Sequence, residues 1–400
     1  MNSSGVNPAP APLLAQGQPV DWWFVFKFNA HAFPGCGEGA ERTGLFGGEP
    51  QTYRSHFSQQ YVYASSTHPA LQKGTGCVGA TLTDPLGATF NQVYNGTDYY
   101  VLWNDQFYND PCENRDGPWG HSKGLVTWNE DGDGFVLQVS TPSWPASGNK
   151  QHPRKTDGNT LGCVKDDDVE VSQHFFALKI NGDDLIAILQ ALQNASVVTD
   201  PSNKQVVHNG GPEAVRALVK NIGRHVSKST TCIHTKLSSG VELISKPSHL
   251  HVPPWQMVSA VLDGLPLRVA SWWASPEMAS TTACTEIGCW DAALGKPGPV
   301  EIATSGSWDG TAFSLTGGEG TDHNHAKVGV STDAGKPLSI FGDMNQQGAL
   351  SEGAAYKGQK CSSSQNGRGG TFYVVNDAGL FKSVTDLIQG DTAPTSVPKT

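Results

Sequence analysis

The chain repeats one plan, and that repetition limits the folds open to it more than any other feature. A β-prone apolar run, "VDWWFVFKF" (residues 20–28), opens the first half and is closed by "NAHAFPGCGEG". From Lys27 in that run to Lys123 in "GHSKG" is 96 residues. In the second half "TCIHTKL" is the candidate first strand, and from its Lys236 to Lys327 in "DHNHAKVGVS" is 91 residues. Each half thus starts with a strand and places a His-x-Lys at a similar later distance, as a tandem duplication would.

The rest of the pattern is α/β. "YYVLWND" (99–105) is a strand, and "GLVTWNEDGDGFVLQVS" (124–140) is two β-prone runs around a turn of Asn, Asp and Gly. "HFFALKI" is a strand, and "GDDLIAILQALQNA" after it has apolar residues at helical spacing. The second half supplies a helix in "PWQMVSAVLDGL" and strands in "PLRVASWW", "HAKVGVS" and "PLSIFGDMN". The polar, Gly- and Pro-bearing stretch near 200–212 places the junction between halves. The expected organisation is a flexible lead-in over 1–18 and two lobes, 19–205 and 206–400, each a mixed β-sheet flanked by helices. No run of 18 apolar residues exists to span a membrane, and the first twenty residues lack the basic and apolar regions of a signal peptide.

Charge bears on the partner. The formal net charge is −10 with histidine neutral, which disfavours a polyanion. With all 13 histidines protonated, 27 basic residues and 37 acidic ones leave +3. A histidine pKa of about 6.5 puts that reversal in mild acid, where such a chain can bind nucleic acid. The eight cysteines form no C-x-x-C pair or zinc pattern, and their even number fits disulfides in an exported protein.

In a strand, residues i and i+2 share a face, so His121 projects with Lys123 and His325 with Lys327. Two histidines and two lysines converging between halves suit a phosphodiester. The lysines hold the non-bridging oxygens, one imidazole attacks phosphorus, and the other, protonated, serves the leaving oxygen. On this reading no metal or other cofactor is needed. A third His-x-Lys, His234 and Lys236, is read as a structural strand. "NEDGDG" (129–134) mimics half a calcium loop but has Ser140 where the closing Glu belongs, so a hairpin turn is expected. Trp119 and Trp144 are candidates for stacking on bases, and "HPRK" (152–155) for phosphate contact. "NGT" at 95 and "NAS" at 194 match the glycosylation pattern.

The pieces "GQPVDWWFVFKF", "VLWNDQ", "GHSKGLV", "DHNHAKVGVS", "GDMNQ" and "NGRGGTFY" run from residue 17 to residue 373. In them the chain resembles the deoxyribonuclease II family of the phospholipase D superfamily. The resemblance implies two phospholipase D-like lobes related by pseudo-twofold symmetry, with the active site between them. It also implies metal-independent cleavage of DNA in acid through a phosphohistidine, leaving 3′-phosphate and 5′-hydroxyl ends. It assigns His121 and Lys123 to one half-site, with His121 as nucleophile. His325, as general acid, and Lys327 fall to the other. Asn345 is the phosphate donor after the next strand. The first half has "STPSWP" at the corresponding place, so Ser140 or Ser143 stands there. The resemblance also implies Cys284 or Cys289 as the partner of Cys361, leaves Cys163 without the N-terminal cysteine common in the family, and points to a secreted, periplasmic or lysosome-like acidic compartment. A phospholipase-type enzyme acting on lipid headgroups and a non-catalytic extracellular nucleic-acid-binding protein are the other readings.

Overall fold

The computed structural model describes residues 8–36, 57–107, 112–142, 170–226, 228–353 and 358–395. The first sheet has eight strands: β1 (Trp22–Lys27), β2 (Tyr61–Ser65), β3 (His68–Lys73), β4 (Tyr99–Asn104), β5 (Lys123–Trp128), β6 (Gly134–Val139), β7 (Gln173–Ile180) and β8 (Val207–His208). Their order is β3-β2-β1-β7-β6-β5-β4-β8, and every neighbouring pair is antiparallel. Helix α1 (Pro85–Tyr94) precedes β4, α2 (Gly182–Asn194) follows β7, and α3 (Glu213–Val219) follows β8.

The second sheet has seven strands: β9 (Ile233–Lys236), β10 (Glu242–Lys246), β11 (Leu267–Ala270), β12 (Val300–Ile302) and, after a separate hairpin of β13 (Ser305–Trp308) and β14 (Thr311–Ser314), β15 (Val328–Ser331), β16 (Leu338–Gly342) and β17 (Gly370–Asn376). The order is β12-β11-β15-β16-β17-β10-β9, antiparallel except for the parallel pair β11–β12. Helix α4 (Pro254–Val261) precedes β11, and α5 (Ala378–Ile388) follows β17. The five central strands of both sheets follow one rule: the first strand in the chain pairs with the fifth, then come the fourth, third and second.

That rule corrects one expectation. The first-strand position of the second sheet belongs to β10, so Lys246, and not Lys236, stands where Lys27 stands. "TCIHTKL" instead forms the edge strand β9. The "NEDGDG" segment is the turn between β5 and β6, where Asn129 Oδ1 accepts from the N–H groups of Asp131 and Asp133, both at 3.0 Å. The lead-in is anchored rather than loose in its described part: Leu13 N–H donates to Thr89 Oγ1 on α1, and Val20 N–H to Pro12 O. Cys361 pairs with Cys289, and Cys36 with Cys77. Cys163 and "HPRK" lie outside the described residues. Among the described residues no helix is long and apolar enough to cross a membrane.

The sheets share one core. Phe341 of β16 stacks on Phe24 of β1, with centroids 4.4 Å apart, and on Phe176 of β7 at 4.7 Å. Helix α2 begins in a capping box, with Asn181 and Asp184 bonding each other's backbone, then lays Leu185, Ile188, Leu189 and Leu192 into this core. It leaves the first sheet and packs on β10 and β17 of the second. Because Phe341 of the second sheet is buried against two aromatic rings of the first, Phe341→Ala should cost about 3–5 kcal/mol of folding stability. Urea unfolding checks this; a loss below about 1 kcal/mol would mean that the sheets are not held by this contact.

Candidate active site

The two His-x-Lys segments lie just before the third central strand of each sheet, and each is held by the other sheet. His121 donates its backbone N–H to Gly369 O, just ahead of β17, at 2.8 Å. His325 donates its N–H to Ser172 O, just ahead of β7, also at 2.8 Å. The chain is tight where the first of these contacts forms. A Cβ on Gly120 would sit 2.5 Å from Ala195 O, and one on Gly369 would sit 2.2 Å from the same oxygen, so neither place admits a side chain.

In the first half-site, His121 Nδ1 lies 2.7 Å from Asp343 O. A carbonyl oxygen only accepts, so Nδ1 carries the proton and the neutral ring keeps its lone pair on Nε2. Lys123 Nζ pairs with Asp105 Oδ1 at 2.7 Å, and Arg368 reaches Asp105 Oδ2 at 2.9 Å. Burial alone would raise the Asp105 carboxyl, but Lys123 and then Arg368 reverse this and hold it well below the usual carboxylate range. Arg368 also donates to the carbonyls of Arg115, Trp119 and Gly120, fixing the loop that leads to His121.

The second half-site differs. Lys327 donates its N–H to His174 Nδ1 at 3.1 Å, and its Nζ to His325 O. The register of β4 with β5 and of β11 with β15 places Trp272 where the first half-site has Asp105. The Trp272 ring lies 4.2 Å from that of His325, centroid to centroid. One lysine therefore has a buried carboxylate beside it, while the other half-site offers an aromatic wall.

His121, Lys123, His325, Lys327, Asn345 and Ser140 line one cleft of about 650 Å³, together with Trp272, Gln365 and Arg368. Both imidazoles sit well below the ordinary histidine value. For His325 the causes are burial, then Lys327 and Lys123; for His121 they are burial and Lys123, against which Asp105 pulls upward. Asn345 Nδ2 donates to Gln347 Oε1 at 2.9 Å. Ser140 points its hydroxyl proton at Gln173 Oε1, 2.5 Å away, so that proton is already engaged. Trp119 is not part of the cleft wall; its ring packs on His225, with the Arg115 guanidinium 5.6 Å above it. Ser143 and Trp144 lie outside the described residues. His234 is on the edge strand, paired with Glu242 at 2.6 Å and away from the cleft.

Sequence reasoning missed Asp105, Arg368, Trp272 and Asp343. The first two stand in "VLWNDQ" and "NGRGGTFY", which carry the resemblance, but nothing local assigns them a partner 263 residues away. "PLRVASWW" reads as strand to its end, whereas β11 stops at Ala270 and leaves Trp272 free to turn to His325.

Fold and cleft together define an α/β protein with two His-x-Lys segments facing one pocket. The chain belongs to the deoxyribonuclease II family, whose model matches residues 12–388. Deoxyribonuclease-2-alpha of Sus scrofa is 29% identical over 155 residues, 37% of each chain. Deoxyribonuclease-2-beta of Mus musculus is 28% identical over 151 residues, 36% of each chain. Cell-death-related nuclease 7 of Caenorhabditis elegans is 23% identical over 340 residues, 83% of this chain and 78% of its own. The matched stretch thus spans little more than a third of the length of the mammalian relatives.

Asp343, whose carbonyl holds His121, has a carboxyl that accepts from Thr371 N–H and Oγ at 2.9 and 2.7 Å. Burial nevertheless pushes it up to about 6. Its folded value lies above its unfolded one of ~3.9, so its contribution to stability is full below that value and is lost as pH rises through about 6. Asp343→Asn removes this loss. Its stability relative to the parent, from urea unfolding, should rise between about pH 4 and pH 6.5 and then level off. A flat difference would show that Asp343 ionises normally.

Proposed function

We propose that the chain is an acid endodeoxyribonuclease that cleaves DNA phosphodiesters without a metal, through a phosphohistidine. The observation that carries this is the convergence of two His-x-Lys pairs on one cleft, with both imidazoles held neutral by burial and by the lysines. Membership of the deoxyribonuclease II family makes DNA the substrate to favour over a lipid headgroup.

His121 Nε2 attacks phosphorus from a fixed tautomer while Lys123, Lys327 and Asn345 hold the phosphate oxygens. The bond from phosphorus to the 5′-oxygen breaks, and that oxygen takes a proton from His325. Water then attacks phosphorus and gives its proton to His325. The phosphorus–nitrogen bond breaks, leaving a 3′-phosphate, a 5′-hydroxyl and free His121. Burial and the lysines disfavour the protonated form of both rings, so His325 gains its acid form only in acid solution, where His121 must still be neutral to attack. A bound phosphodiester anion between the lysines helps His325 take its proton. Turnover therefore follows a bell against pH whose maximum lies below about 6.5.

We further read the chain as two phospholipase D-like lobes, 19–205 and 206–400, related by a pseudo-twofold axis through the cleft. The shared strand order of the two sheets supports this. The two disulfides and the demand for acid favour a secreted, periplasmic or lysosome-like compartment.

With excess EDTA at about pH 5, the protein should nick plasmid DNA and leave a phosphatidyl lipid intact. His325→Ala should lose at least ~100-fold in turnover, and folded His234→Ala far less. A strict metal requirement, or equal loss in both folded variants, would contradict the scheme.

A further inference from the structure

Two lysines outside the cleft wall occupy matching points of the two sheets. Lys27 ends β1 opposite Gln173, the first residue of β7; Lys246 ends β10 opposite Gly370, the first residue of β17. Both are fully buried. Lys27 Nζ donates to Val171 O at 2.5 Å, Ser58 O at 3.1 Å and Phe28 O at 3.2 Å. Lys246 Nζ donates to Asn366 O at 2.8 Å and Arg368 O at 2.9 Å. In each sheet the lysine thus grips the carbonyl two residues ahead of the fifth central strand. The next carbonyl, of Ser172 or Gly369, accepts the backbone N–H of the histidine from the other half.

We propose that Lys27 and Lys246 are positioning residues, each setting the place of the opposite half's histidine through the single peptide unit between them: Lys27 for His325, Lys246 for His121. Burying an ammonium is costly, and carbonyl bonds repay that cost only in part. The same costly device stands at the same register in both sheets, one residue from each histidine's anchor. Lys246 has an independent second grip, because the residue whose carbonyl it holds is Arg368, whose guanidinium bonds the carbonyls of Trp119 and Gly120 next to His121. Burial holds Lys246 down to about 7, so it is cationic in the acid range where the reaction is proposed to run.

This rests on the reading of His121 as nucleophile and His325 as acid, and the test separates the two levels. Lys27→Met and Lys246→Met are compared with His325→Ala and His121→Ala on two substrates, thymidylyl-thymidine and thymidine 3′-(p-nitrophenyl phosphate). The nitrophenolate leaves without a proton, so in the first-turnover burst, before hydrolysis of the adduct limits the rate, loss of the acid should be largely masked on the second substrate and loss of the nucleophile should not. Each lysine variant should lose about 10- to 100-fold in kcat, the scale of a misplacement near 1 Å, with KM little changed. Lys27→Met should recover its burst rate on the nitrophenyl ester as His325→Ala does, and Lys246→Met should stay impaired as His121→Ala does. If His325→Ala fails to recover, the assignment of the acid is what falls; the lysine proposal then stands only if each lysine variant still copies the substrate ratio and pH profile of its own histidine. Equal losses in both lysine variants on both substrates, or a lowered Tm with unchanged kcat, would overturn it. Should the Met variants not fold, Lys27→Gln and Lys246→Gln keep a donor and are read the same way; failure of these to fold makes the lysines scaffold and ends the proposal.

Discussion

Two backbone hydrogen bonds hold the cleft together: His121 N–H to Gly369 O, and His325 N–H to Ser172 O. Each binds a His-x-Lys segment of one sheet to the residue just ahead of the fifth central strand of the other. Neither segment lies inside a strand at its histidine, so its backbone is held by this exchange rather than by its own sheet. The exchange in turn needs the sheets in register, which the stack of Phe341 on Phe24 and Phe176 and the passage of α2 from one sheet to the other provide. Packing in the shared core and geometry in the cleft are therefore one constraint.

The electrostatics follow from the same arrangement. Bringing the segments together buries two lysines and His121 and half-buries His325, and the cations and burial jointly make both rings hard to protonate. The half-sites are not equal. Asp105 balances Lys123 and, with Arg368, ties that lysine to the opposite sheet, whereas His325 faces Trp272. His121 is fixed through Nδ1 on Asp343 O, which leaves Nε2 as the basic nitrogen. A repeated plan whose two copies carry different neighbours gives two chemically distinct histidines.

Much of this was legible in the sequence where the signal is local. The runs 20–28, 99–105 and 124–140 cover β1, β4 and all but the first residue of the β5–β6 hairpin because apolar β-prone residues are bounded by turn residues, and α2 shows its 3.6-residue period. The spacing of His-x-Lys picked out residues that do meet at one cleft. What spacing could not give is pairing. "TCIHTKL" looks like a first strand as much as β10 does, and only sheet order separates an edge from a centre. Asp105 and Arg368 are ordinary charged residues until the fold brings them to 2.9 Å. Trp119 stands two residues from His121 in the chain, yet the grip of Arg368 holds its carbonyl while its ring goes to His225.

The central claim is a covalent link to His121 made while His325 supplies the proton. The most direct measurement is mass mapping of peptides from His325→Ala quenched in base during turnover of thymidine 3′-(p-nitrophenyl phosphate), where the missing acid–base group slows hydrolysis of the adduct. A nucleoside 3′-phosphoryl group on the peptide carrying His121 is the result this account expects. Full turnover with that peptide unmodified throughout, or the same group found on another residue, would contradict it.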